Sequence, residues 1–111
     1  MKLITKEIER KAPPLYANEN VTPIGDAVAV AKFFDPSGRY TFYMTEYDSD
    51  DRMGFGWIVS PLEPSFDELG YVDMSVLEGF RGTFGLGIER DRYFSPRPLR
   101  EALPNLPDWM L

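Results

Sequence analysis

A chain of 111 residues with no cysteine and no histidine excludes disulfides, thiolate nucleophiles, cysteine-ligated metals and every catalytic device that needs an imidazole base. Twelve basic residues against 18 acidic ones leave a formal net charge of -6, which disfavours direct nucleic-acid binding because that needs a basic footprint. Hydrophobic residues at 43% and aromatics at 14% can fill one core, so a single domain over residues 1–111 is expected.

Leu3 to Lys11 reads as a short helix. Thr5 can cap it, with Glu7 and Glu9 early and Arg10 and Lys11 late, as the helix dipole favours. Leu3, Ile4 and Ile8 share one face, and Pro13-Pro14 ends the helix. Leu15 and Tyr16 read as core anchors, followed by a polar loop from Asn18 to Asp26. Val28 to Phe34 is a first strand, and Asp35-Pro36-Ser37-Gly38 a hairpin turn.

Arg39 to Tyr47 is a second strand. Strict alternation places Tyr40, Phe42, Met44 and Glu46 on one face, and Thr41, Tyr43, Thr45 and Tyr47 on the other. A charged turn, Asp48 to Arg52, leads to a third strand, Met53 to Ser60, in which Gly54 and Gly56 leave room beside Phe55 and Trp57. Glu68 to Met74 is a shorter fourth strand. Ser75 and Glu78 fit a capping box that opens a short helix, closed by Gly79 or Gly82. A glycine-rich stretch, Gly82 to Gly87, and an extended stretch, Ile88 to Phe94, follow. Pro98 starts a last short helix through Leu103, and the tail carries Trp109. The order predicts an α+β fold. It is an antiparallel three- to four-stranded meander with an N-terminal helix and short C-terminal helices, one sheet face being covered by helix.

The charge is unevenly placed. Residues 46–78 hold nine acids and one base, a net of -8, whereas the flanks on either side each carry +1. The block alternates with apolar segments, so it is no disordered acidic tail. No run approaches the ~20 apolar residues of a membrane span, and charges interrupt any signal-like core near the N-terminus, so a cytoplasmic protein is expected.

Four motifs invite chemistry. Asp48 to Gly54 resembles a calcium loop, but Arg52, Met53 and Val59 occupy its fifth, sixth and twelfth positions, so it reads as a solvated turn. Gly82-Thr-Phe-Gly85-Leu-Gly87 lacks the following Lys and helix of a phosphate loop. Glu89-Arg90-Asp91-Arg92 alternates charge, and on a strand its arginines would face one way, more often for ion pairs than for an anion clamp. The aromatic set around Phe33, Tyr43 and Trp57 lacks the basic residues of a base-stacking sheet, and reads as core.

Three groups of phrases carry a family resemblance. The first is Met1 to Ile8 with Pro13-Pro14-Leu15-Tyr16. The second is Val28 to Phe34, then Thr45-Glu-Tyr-Asp48 and Met53-Gly-Phe-Gly56. The third is Leu77-Glu78, Arg81-Gly82, Phe84 to Asp91, Phe94 and Pro96. Together they resemble the domain-of-unknown-function family 2958, from Met1 to about Leu99, with residues 100–111 outside the pattern. The resemblance implies the setting of plasmids, phages and other mobile elements. It attaches no catalytic role to any residue.

The expected function is a non-enzymatic interaction protein, an acidic inhibitor or nucleic-acid mimic acting on a host defence or DNA-processing protein of the anti-restriction or anti-CRISPR kind. The partner would present a basic surface to Glu46, Asp48, Asp50, Asp51, Asp67 and Glu68. No catalytic, cofactor-binding or metal-binding residue is assigned, and neither nucleic acid nor membrane is a direct partner. The alternative is a small metal-dependent hydrolase or nuclease-like accessory enzyme with Mg²⁺ or Mn²⁺ on Glu46, Asp48, Glu89 and Asp91, which requires the two pairs to meet in space.

Overall fold

Thr5 caps the first helix, which starts at Lys6 rather than at the expected Leu3. In the computed structural model, which describes residues 2–106, α1 runs Lys6–Lys11, and the Thr5 hydroxyl accepts the Ile8 N–H at 3.1 Å. The strands are β1 (Val28–Ala29), β2 (Ala31–Phe34), β3 (Thr41–Asp48), β4 (Met53–Val59), β5 (Glu68–Asp73), β6 (Glu89–Arg90) and β7 (Arg97–Pro98). Two further helices are α2 (Met74–Gly79) and α3 (Leu99–Ala102). The class is α+β with antiparallel pairing throughout, as expected, and the strand count is larger.

The main sheet has five strands in the order β5-β4-β3-β2-β6, and β1 pairs with β7 in a separate two-stranded ribbon. Two features account for the surplus. The chain returns after α2 and lays β6 beside β2, covering an edge that the meander alone leaves open. The expected first strand also breaks at Val30, whose N–H still reaches the Met44 carbonyl at 2.8 Å, so its first half pairs with β7 instead.

Both sheet faces are covered, not one. Under α1 and α2 lie Leu3, Ile8, Phe33, Phe42, Met44 and Leu77. Under α3 lie Ala27, Ala29, Tyr43, Trp57, Leu99 and Leu106. Six consecutive residues of β3, Phe42 to Tyr47, are consequently buried. Leu106 lies beyond the expected last helix yet belongs to the second core, whereas Trp109 falls outside the described residues. Tyr16, expected as a core anchor, is 61% exposed.

Alternation along β3 fails at one residue. Met44 pairs with Gly56 and Glu46 with Phe55, leaving Thr45 as an extra residue in a β-bulge. Past the bulge the faces exchange. Tyr47 joins Phe42 and Met44 in the first core, and Glu46 turns to the second face. Gly56 makes this possible, because a Cβ there would collide with the Tyr43 carbonyl.

The capping box also differs. Helix α2 starts at Met74, and Asp73 is its cap, accepting the Ser75 N–H at 2.9 Å. Glu78 is therefore free of capping and reaches the Leu3 N–H at 2.8 Å and the Arg52 guanidinium at 2.9 Å. At the other end, Pro98 precedes α3 rather than opening it, since its backbone is extended and paired with Val28.

Candidate functional site

The bulge creates a site. Glu46 is only 3% exposed, and its carboxylate is held by the loop that precedes β1. The Tyr16 N–H donates to Oε1 at 2.7 Å, while the Asn18 N–H and side-chain amide donate to Oε2 at 3.2 and 2.9 Å. Hydrogen bonds to an ionised group are roughly twice as strong as neutral ones. They hold Tyr16 at φ 72°, a left-handed conformation that costs an L-residue roughly 1–2 kcal/mol. Bulge, buried carboxylate and strained tyrosine thus coincide, as at many functional sites.

Among the described residues no lysine or arginine pairs with this carboxylate. The ion pairs among the described residues are Lys11–Glu7, Lys32–Asp91, Arg39–Asp67, Arg52–Glu78 and Arg100–Asp26. None involves Glu46 or Glu19. Beside Glu46 opens a cavity of about 260 Å³, with Tyr16, Asn18, Glu19, Phe55, Leu69 and Tyr71 in its wall. The Tyr71 ring stands 4.9 Å from Phe55 and 6.4 Å from Tyr16, centroid to centroid, tilted or edge-on. The Tyr71 phenol is pushed up from its ordinary value, first by its hydrogen bond with Tyr16, then by burial and by the nearby Glu19 and Glu46 charges.

The other expected acids separate. Asp48, Asp50 and Asp51 lie on the β3–β4 turn, with the Asp50 N–H donating to Asp48 at 3.0 Å. Asp67 is taken up internally: Arg39 grips it at 3.0 and 3.1 Å, and the Ser60 N–H donates to it at 2.8 Å. The Arg39 hydrogen bonds hold the Asp67 carboxyl below its ordinary range. Glu68 is exposed at the start of β5, opposite Ile58, whereas Asp73 ends that strand opposite Met53. Five residue steps along the strand, ~17 Å, separate those two positions. The block is therefore two acidic ends, with Glu46 buried between them.

The two pairs of the metal-enzyme alternative do not meet. Glu89 pairs with Phe34, which pairs with Thr41. It lies two strand spacings, ~10 Å, from β3, and several residues along the sheet from Glu46. Asp91 is engaged with Lys32 at 3.6 Å. Among the described residues, no three acidic side chains gather at metal-binding distance. Arg90 is likewise occupied, donating to the Leu3 carbonyl at 3.1 Å. No helix among the described residues is long and apolar enough to cross a membrane.

The family model described as "Protein of unknown function (DUF2958)" matches residues 3–101. The chain belongs to that family. The matched stretch spans every residue in the wall of the Glu46 cavity, so the pocket of this DUF2958 chain lies wholly within the family's domain. The match stops short of Leu106, although that residue is buried in the second core. No curated protein and no solved structure matches the chain.

Tyr16, Asn18, Glu19 and Tyr71 were not expected at a site. The one signal for Tyr16, Asn18 and Glu19 in the sequence is a polar loop that follows a tyrosine, and turn-forming polar residues alone do not say what a loop covers; Tyr71 lies in β5, with no signal of its own.

Proposed function

We propose that the protein is a non-enzymatic interaction module that binds a basic, extended segment of a protein partner along the outer edge of β5. One observation carries the reading. β5 is a six-residue edge strand whose outer side is unpaired among the described residues, and Glu68 and Asp73 stand at its two ends. An unpaired edge offers a row of backbone donors and acceptors to an added strand. Tyr71, at its middle, is 52% exposed, and tyrosine is among the residues that most often anchor interfaces. The arginines nearest the strand, Arg39 and Arg52, are already paired with Asp67 and Glu78, so a basic segment meets little repulsion there.

A DNA-processing or defence protein, anti-restriction or anti-CRISPR targets included, is the partner class in which such basic segments are common, and a mobile-element setting agrees with it. Capture of a segment is favoured over mimicry of a nucleic-acid strand. Mimicry asks for carboxylates along one continuous surface, with the spacing of phosphates.

The test is titration of a labelled, extended Lys/Arg-rich peptide at about 50 and about 500 mM salt. The triple variant Asp50→Lys, Asp51→Lys and Glu68→Lys is titrated beside the wild type. Binding is expected to weaken about tenfold or more with salt and in the variant. Indifference to both changes refutes the proposal.

A further inference from the structure

The Glu46 cavity is more specific than an acidic surface. A carboxylate offers about four acceptor sites, and three of those of Glu46 are filled by neutral donors from the loop. The carboxylate is buried without a cation, an arrangement that ordinarily costs several kcal/mol. It lines an open cavity rather than closed core, so a cation can reach it from outside.

The walls narrow the kind of cation. Tyr16, Phe55 and Tyr71 give aromatic surface, and Ile24, Leu69 and Leu99 give aliphatic surface. A hydrated divalent metal gains nothing from such walls, and among the described residues no three acidic side chains gather to ligate it. An organic cation gains on each count: aromatic faces attract its charge, and aliphatic surface packs its stem. At about 260 Å³ the cavity is below the range of ~300–1,000 Å³ that takes drug-sized ligands, so one side chain suits it better than a nucleotide.

Strand register connects the cavity with the free edge. Leu69 and Tyr71 of β5 alternate onto the face that carries it. A strand added beside β5 points every second side chain to that same face. We infer that the Glu46 cavity is the recognition pocket for a lysine side chain of the partner segment, an inference that presupposes the edge binding proposed above. Lysine is preferred to arginine because the two Glu46 oxygens are committed to different loop donors. The forked pairing that favours a guanidinium is thus blocked, whereas a compact ammonium needs only one free acceptor site.

The experiment compares extended peptides that carry lysine, arginine or norleucine at the alternate positions, with N-acetyl-lysine amide as a free side-chain probe. Binding is followed by calorimetry and by the backbone amide NMR signals of Tyr16 and Asn18. In the wild type the lysine peptide is expected to bind about tenfold tighter than the norleucine peptide, the equivalent of about 1.4 kcal/mol, and tighter than the arginine peptide. Glu46→Gln should erase that preference. Glu19→Gln, at an exposed position outside the core, should reduce it several-fold and remains informative if the Glu46 variant fails to fold.

Salt-sensitive binding with no preference for lysine overturns the pocket and leaves the edge reading standing. Shifts of the Tyr16 and Asn18 amides by N-acetyl-lysine amide, weakened in Glu19→Gln while no peptide binds, overturn the edge reading and with it the pocket's role toward a partner segment. Silence of those amides toward both the lysine peptide and the free probe overturns the pocket.

Discussion

Glu46 and Glu78 hold N-terminal segments against opposite faces of one sheet. Glu78 accepts the Leu3 N–H at 2.8 Å, and Glu46 accepts the Tyr16 N–H at 2.7 Å. Each ties together residues at least 30 apart in sequence. They differ in what balances the charge. Glu78 has the Arg52 guanidinium at 2.9 Å, while Glu46 has only neutral N–H donors and a cavity. A carboxylate paired with its own arginine is complete within the fold and works as a clamp. One held by dipoles alone keeps an attraction for a cation from outside. Exposure runs the other way from what solvation alone would favour: Glu46, without the cation, is the more deeply buried at 3%.

The comparison breaks most severely at Gly56. Glu46 faces the cavity only because β3 bulges opposite this glycine, and a Cβ at Gly56 would meet the Tyr43 carbonyl, which is backbone and cannot turn aside. Gly56→Ala should lower stability by about 3 kcal/mol, the upper part of the usual overpacking range, and should remove any binding by the pocket. At Gly54 the added carbon would first meet the Met44 sulfur and the Phe42 ring, at 3.1 Å. These are side chains that can shift, so Gly54→Ala should cost about 1 kcal/mol. Urea unfolding of both variants checks the order, and equal losses would contradict the close approach at the bulge.

Glu78→Ala comes next. It strands the Leu3 N–H and the Arg52 guanidinium, and about 2 kcal/mol should be lost, as for hydrogen bonds to a charged group. Arg52 and Glu78 are both partly solvated, at 35% and 18% side-chain exposure. A double-mutant cycle between them should therefore return a coupling below about 1 kcal/mol. Glu46→Gln should cost less, about 1 kcal/mol, since removal of an unbalanced buried charge offsets part of the weakened hydrogen bonding. Thermal unfolding ranks these variants. A Glu46→Gln loss larger than that of Glu78→Ala would make Glu46 the principal clamp and erase the contrast.

Most of the fold could be read from local pattern, because its determinants are local. Thr5 caps the expected helix, the Asp35–Gly38 turn lies where Pro36 sets it, and Ala31 to Phe34 pairs as a strand with Ala31 and Phe33 in one core, although Ala29, across the break at Val30, packs in the other. The departures come from contacts distant in sequence. A bulge at Thr45 depends on what faces it across the sheet, and no residue of β3 itself announces it. Asp73 displaced Ser75 as the helix cap because Asp73 already ended a strand pointing into the helix. The six acids expected to bind a partner share a stretch of sequence and not a surface, since β3, β4 and β5 run back and forth across the sheet. Glu46 is legible in the sequence by its charge alone. Its loop donors lie 28 and 30 residues upstream, beyond the reach of any periodicity.

Acid separates the two carboxylates by the gentlest means. Burial raises the Glu78 carboxyl, but the Leu3 N–H and Arg52 outweigh it, so the net position lies below the ordinary 4.5. A carboxyl whose pKa is lower folded than unfolded contributes stability that is fully present above the unfolded value. That stability is lost as the pH falls through the folded value. Between neutrality and about pH 5 the gap in unfolding free energy between wild type and Glu78→Gln should therefore be constant. Below 4.5 it should narrow, because the wild-type carboxylate takes up the proton that the glutamine variant has no site for. Asp67, also lowered by its arginine, is unchanged in both proteins, so it cancels from the difference. Urea midpoints at pH 7, 5, 4 and 3 would measure the gap. A gap as wide at pH 3 as at pH 7 would mean that Arg52 and Leu3 do not favour the ionised form, and Glu78 would then no longer stand as the balanced partner against which Glu46 is compared.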